Sequence, residues 1–156
     1  MMNMTREFAI KEFIREIVNR DIKFGINVND KDHDFTKKIL SGEKTIETRV
    51  PFKNNVNRGS LHAYVGKRVG LVRTGRGGMP MLVGFVTVGR PIKYDSVKQF
   101  RSDYNRHRVE PNSKFDIDDR GKWGYPMINP EAVVPIAVNA VGRVVSDIQG
   151  IDYLIL

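Results

Sequence analysis

The chain has 156 residues, 40% hydrophobic and 28% charged, with a net charge of +8 and no cysteine. That length suits one domain with a real core, and the missing cysteine excludes disulfides, thiolate metal sites and a cysteine nucleophile. No apolar run approaches the ~18–20 residues of a membrane span and no signal-peptide core opens the chain, so a cytoplasmic protein is the expectation.

The charge is unevenly placed. Between Phe35 and Arg108, sixteen Lys or Arg stand against four acids, Glu43, Glu47, Asp95 and Asp103, a local excess of +12. Such an excess favours a polyanion, nucleic acid most commonly; the plain alternative is a basic, soluble surface with no specific partner. His33, His62 and His107 lack ligand-like spacing, so each reads as a loop or surface residue and not as part of a zinc site.

Residues 4–20 read as a helix, with Thr5 as N-cap and Ile10, Phe13, Ile14 and Ile17 forming a stripe that packs on the domain. Residues 22–28 alternate as a half-buried strand. Asp32 or Asp34 then caps a short helix carrying Phe35, Ile39 and Leu40, and Gly42 stands where a left-handed C-terminal cap belongs. Residues 45–50 read as a strand that turns Ile46 and Val50 to the core and Thr45, Glu47 and Arg49 to the other face, with Lys44 at the mouth of the turn. Such a cluster can hold a planar hydrogen-bonding ligand or a phosphate, or it is a surface ion pair worth ~0–1 kcal/mol.

Residues 51–61 read as a mobile loop made positive by Lys53 and Arg58. Residues 67–73 and 81–88 read as strands joined by a glycine-rich turn, where Arg73 and Arg76 are natural phosphate contacts; the turn lacks the Gly-Lys-Ser/Thr ending of a P-loop. Asp95 or Ser96 caps a helix facing inward with Val97, Phe100 and Tyr104, and Lys98, Arg101, Arg106 and Arg108 make an outer basic stripe. Asp116, Asp118 and Asp119 lie close together without the spacing of an EF-hand, so they read as loop, with no metal. Trp123 and Tyr125 sit in a Gly/Pro-rich segment, free to stack on a base or to be buried. Residues 133–145 and 151–156 supply the closing strands.

The pattern Gly42-x-Lys44-x-x-Glu47-x-Arg49 resembles the signature of the ASCH domain, a branch of the PUA-like superfamily. The run from Trp123 to Pro130 resembles the aromatic and Asn-Pro segment of PUA-like and EVE-type domains, and residues 64–71 resemble their Gly-Lys-Arg-Val turn and strand. The resemblance covers residues 22–156. It implies an α+β, mainly β fold: a PUA-like pseudobarrel of bent antiparallel strands with flanking short helices over residues 21–156, preceded by an accessory helix over 1–20. It also implies binding of RNA or a modified nucleobase, in a cleft lined by Lys44, Glu47 and Arg49.

An enzymatic branch of the family deacetylates acetylated cytidine. Its lysine matches Lys44, but its threonine is replaced by Glu47, and its glutamate falls in residues 83–88, which hold no acid. The leading reading is therefore a non-catalytic module for RNA or a nucleoside, without a cofactor, with phosphates on Arg73 and Arg76 and aromatic contacts from Trp123 and Tyr125. The alternative is a hydrolase acting on RNA or a modified nucleoside through Lys44 and Glu47.

Overall fold

The computed structural model describes residues 5–52 and 55–156, and the side chains of all of these but 14–20 and 55–59. In chain order the elements are α1 (Arg6–Arg20), β1 (Phe24–Asn29), α2 (Phe35–Ser41), β2 (Ile46–Arg49), β3 (Pro51–Phe52), β4 (Asn55–Gly59), a 3-10 turn (His62–Tyr64), β5 (Arg68–Thr74), β6 (Met81–Val88) and β7 (Ile92–Tyr94). There follow α3 (Val97–Ser102), α4 (Tyr104–His107), β8 (Lys122–Ala137), β9 (Asn139–Ala140) and β10 (Val145–Asp147). One mixed sheet runs β2-β8-β6-β5-β1-β10-β9, with β7 added to β8, and curls into a half-barrel. The fold is the expected α+β, mainly β pseudobarrel, although the β1–β5 pair is parallel.

Several local expectations meet the structure differently. The Thr5 hydroxyl accepts the Phe8 N–H at 3.1 Å, as an N-cap should. Ile10 and Phe13, however, are 50% and 64% exposed, so that part of the α1 stripe faces solvent and not the domain. The side chains of Ile14 and Ile17 lie outside those described. The strand β1, central in the sheet between β5 and β10, is buried from Gly25 to Val28 on both faces: Ile26 and Val28 face the barrel core, and Asn27 on the other face is covered by residues 142–146. Neither Asp32 nor Asp34 caps α2: the buried Asp30 carboxylate accepts the Phe35 N–H at 2.9 Å and the Thr36 N–H at 3.3 Å. At the other end, Gly42 adopts φ +83° and its N–H returns to the Ile39 carbonyl, the left-handed cap that was expected.

Within residues 51–61, expected as a loop, β3 and β4 pair antiparallel; residues 53–54 and the Arg58 side chain lie outside what is described. The β5–β6 hairpin matches expectation. The 16-residue β8 replaces the loop expected around Trp123; it pairs with β2 and β7 at its start and with β6 beyond, bending at register shifts. It crosses β2 closely at Gly124, where a Cβ would lie 2.8 Å from both Ile46 and Tyr94. Residues 151–156 contribute only a bridge from Ile155 to Val133.

Ile26, Val28, Leu71, Val86 and Tyr125 fill the barrel, and Val72, Leu82, Phe85 and Ile148 form a second core on the other side of the sheet. A third cluster, Tyr94, Phe100, Val109 and Ile117, lies beneath α3 and α4. Ser96 caps α3 as expected, accepting the Gln99 N–H, and Phe100 is buried, but Val97 is exposed. No helix among the described residues is long and apolar enough to cross a membrane.

Candidate functional site

The Gly42 turn delivers Lys44 into the interior. Its side chain is 1% exposed, its ammonium donates to the His107 carbonyl and lies 3.5 Å from Glu47 Oε1, and it stands 4.8 Å over the Phe35 ring. Burial, opposed by the Glu47 charge, lowers its pKa below that of an ordinary lysine.

Glu47 and Arg49 share a face of β2, as strand alternation requires, but that face turns inward. Glu47, only 6% exposed, sits opposite Tyr125 of the barrel core in the β2–β8 register. Ile46 on the other face is buried as well, so β2 is covered on both sides, and the expected split between a core face and an open face does not occur. Arg49 Nη2 contacts Glu47 Oε2 at 3.0 Å and donates to the Asn27 carbonyl at 2.7 Å, bridging from β2 to β1 across the open side of the half-barrel. Asn27 is itself fixed: its amide donates to the carbonyls of Gly142 (3.2 Å) and Arg143 (3.4 Å), and its Oδ1 accepts from Ser146 Oγ at 2.6 Å.

In the gap that Arg49 spans lies a cavity of about 190 Å³. Val28, Phe35, Val109 and Phe115 give it apolar walls, and Glu47, Arg49 and Lys122 supply its charges. An apolar cavity of about 150 Å³ is known to hold benzene, so this one is matched to a single planar ring. Lys44 stands behind Glu47 and does not line it.

Lys122 was not singled out from the sequence, because the stretch before Trp123 reads there as a charged loop. It is the first residue of β8 and 4% exposed. Burial lowers its pKa to about 8, with Glu47 and Asp118 opposing and Arg49 and Lys44 adding to the effect. Its ammonium lines the cavity and makes no hydrogen bond or ion pair with a described residue, while Arg49 Nε–H is a fully buried atom without an acceptor. Two buried cations, Lys44 and Lys122, and the partly buried Arg49 thus surround one carboxylate. Such a surplus costs stability unless an acceptor from outside completes it.

The other candidates lie elsewhere. Arg76 pairs with Asp34 and donates to the His33 carbonyl at 2.8 Å, in a depression formed with Asp30, Lys31 and Asp32. Arg73 is half-buried on β5, in register with Val28 and Met81, and lines neither that depression nor the cavity. Trp123 is half-buried, in register with Arg49, edge-on to His62 and 5.9 Å beneath Lys93. Tyr125 has no exposed surface to offer a base; its hydroxyl meets His62 Nδ1 at 2.5 Å.

Among the expected surface residues, His107 is fully buried, stacked on Phe100 at 4.0 Å. Its Nδ1 accepts the Val109 N–H at 2.9 Å, so Nε2 carries the proton to the Phe100 carbonyl at 2.6 Å; burial lowers its pKa and keeps it neutral. The basic stripe is largely paired: Arg101 with Asp116, Arg106 with Asp103, Arg108 with Glu43. No group of three or more His, Asp or Glu among the described residues is placed to hold a metal ion.

No family model matches the sequence, and no curated protein matches it. Among solved structures, the crystal structure of ASCH from Zymomonas mobilis is similar, with a TM-score of 0.52 and 18% identity over 72% of this chain and 73% of that one. At that identity the likeness speaks for the fold alone. Taken with the half-barrel and its element order, it shows that the chain has an ASCH-like fold.

Proposed function

We propose that this protein is a non-catalytic ASCH-like module that binds a nucleobase, from RNA or a modified nucleoside, in the cavity between β1 and β2. The observation that carries the reading is the 190 Å³ ring-sized cavity in which Lys122, buried and with no hydrogen bond or ion pair to a described residue, stands beside Glu47 and Arg49. A base offers flat faces to the apolar walls, and at its edge a carbonyl or ring nitrogen for Lys122 and an N–H for Glu47. The resemblance of the Gly42-x-Lys44-x-x-Glu47-x-Arg49 motif supports the same ligand class. Lys44 then acts through Glu47, holding the carboxylate in place from behind.

Hydrolysis is the weaker reading. Glu47 already has one oxygen near Lys44 and the Thr48 N–H and the other on Arg49, an arrangement that orients a carboxylate for recognition more than it frees one to take a proton.

The test is a titration of the protein with standard and modified nucleosides and a pool of short RNAs, followed by mass spectrometry of the mixture. Binding with unaltered ligand is expected, reduced at least tenfold in Lys122→Met, which keeps the volume of the side chain and removes its charge. Binding unchanged in that variant removes the cavity from consideration, and a shifted ligand mass replaces the module by an enzyme.

A further inference from the structure

Beside the ring-sized cavity, and sharing Arg49 and Val50 with it, opens a depression of about 860 Å³. Arg49, Arg120 and Arg143 line it, from β2, the turn before β8 and the turn between β9 and β10, together with Pro51 and Phe52 of β3. Phe52 is 47% exposed. Arg143 forms no ion pair with a described residue, and Arg120 pairs only with Asp118, both partners being largely solvent-exposed, so little is lost when a phosphate replaces that carboxylate. Asn27 fixes the spacing of two of the three arginines: its carbonyl takes Arg49 and its amide ties down the Gly142–Arg143 backbone.

We infer that this depression is the backbone site of a single-stranded nucleic acid, whose phosphates lie on Arg49, Arg120 and Arg143 while one base enters the adjoining cavity and its neighbour stacks on Phe52. This rests on the nucleobase reading and deepens it, from a free nucleoside to a strand. Three guanidinium groups around an exposed aromatic, next to a slot for one ring, combine backbone neutralisation with base stacking, the two means by which single strands are held. A duplex cannot use such a site, because its bases are stacked and paired. An acidic peptide would satisfy the arginines and leave both the slot and Phe52 unexplained.

The experiment compares the four nucleosides, their 5′-monophosphates, a mixed-sequence RNA hexamer and the same hexamer annealed to its complement, at low and at physiological salt. The strand predicts that affinity rises from nucleoside to monophosphate to hexamer, that annealing abolishes it, and that a polyglutamate competitor does not displace the hexamer. Arg143→Ala should lower the slope of log affinity against log salt by about 0.7. Phe52→Ala should weaken the hexamer roughly five- to hundredfold while leaving nucleoside affinity unchanged. Both side chains are exposed, so the variants retain the fold, which a matching thermal transition verifies.

Nucleosides binding as tightly as the hexamer, without salt dependence, would overturn the strand and leave the nucleobase reading intact. Displacement by polyglutamate, or retained binding of the duplex, would overturn it too. No binding of any probe would end both.

Discussion

Two polar clusters adjoin in this fold, one built on the buried Tyr94 and His107 and one on the buried Glu47 and Lys122, and they are finished to different degrees. Beneath α3 and α4, the Tyr94 hydroxyl donates to Asp103, Arg106 Nε donates to the same carboxylate at 2.6 Å, and both His107 nitrogens are engaged. At the gap between β1 and β2, Arg49 Nε–H is buried with no acceptor, and the ammonium of the buried Lys122 makes no hydrogen bond or ion pair with a described residue. A satisfied network rigidifies and specifies a core, whereas an unsatisfied one is held at a cost that an incoming acceptor removes. Lys44 joins the two, donating a hydrogen bond to the His107 carbonyl on one side and pairing with Glu47 on the other.

The largest effect should come from removing the single carboxylate of the unfinished cluster. Glu47→Gln leaves Lys44, Arg49 and Lys122 buried with no counter-charge, and urea unfolding should show a loss of roughly 3–5 kcal/mol. A loss below about 1 kcal/mol would mean that water reaches these cations and that the cluster is not closed.

Lys122→Met should act in the opposite direction, stabilising the fold by about 1–3 kcal/mol while weakening the ligand. Its pH signature has a definite sign. The folded-state pKa of about 8 lies below the ordinary 10.5, so between those values the unfolded chain holds a proton that the folded chain has released, and stability rises with pH across that window. The full swing is about 3 kcal/mol and disappears in the variant; below about pH 8 the penalty is constant. Ligand binding should run the other way in the wild type, weakening above about pH 8 as the ammonium loses its proton.

In the finished cluster His107 gives a smaller slope in a different window. Because its folded pKa is lowered, the unfolded chain takes up a proton below the ordinary 6.5 that the folded chain refuses. Stability present above that pH therefore falls as the solution is acidified, with a limiting slope of about 1.4 kcal/mol per pH unit. Denaturant titrations of the wild type and His107→Gln across this range isolate the contribution; a wild-type curve no steeper than that of the variant would show the imidazole to be charged in the fold.

The sequence made the locally determined parts legible and those set by tertiary packing much less so, His107 of the finished cluster included. The Gly42 cap, the β5–β6 hairpin and the grouping of Lys44, Glu47 and Arg49 follow from local rules of turn chemistry and strand alternation. Which way the Glu47 face turns does not, because β2 is covered by the barrel on one side and by Tyr94 and α4 on the other, and those covers come from other elements, from Asn27, 22 positions from Arg49, to the β8 residues paired with β2. Lys122 was hidden for the same reason: its burial is set by the closing of β8 over β2, and a lone lysine before Trp123 carries no period of its own. Asp30 escaped as a cap because its carboxylate reaches five residues forward, beyond the usual N-cap position.

The outer face of α3 and α4 provides the weakest and most discriminating test of the contrast. Read from the sequence, Lys98, Arg101, Arg106 and Arg108 formed a stripe open to a nucleic-acid backbone. In the fold Arg101 bonds Asp116 Oδ2 at 2.7 Å at the protein surface, and such a pair contributes at most about 1 kcal/mol. Arg101→Ala should therefore lower stability by no more than that and leave the salt dependence of RNA binding unchanged. Asp116, 9% exposed and held also by the Asn112 and Ile117 N–H groups, fixes Arg101 more firmly than the exposed Asp118 holds Arg120, so Arg101 releases few counterions from a nucleic acid, whereas Arg143, with no ion-pair partner among the described residues, releases its full share. A reduced salt slope in Arg101→Ala would move the backbone site from the β2 depression to this face, and would show that pairing at the surface does not withdraw a guanidinium from recognition.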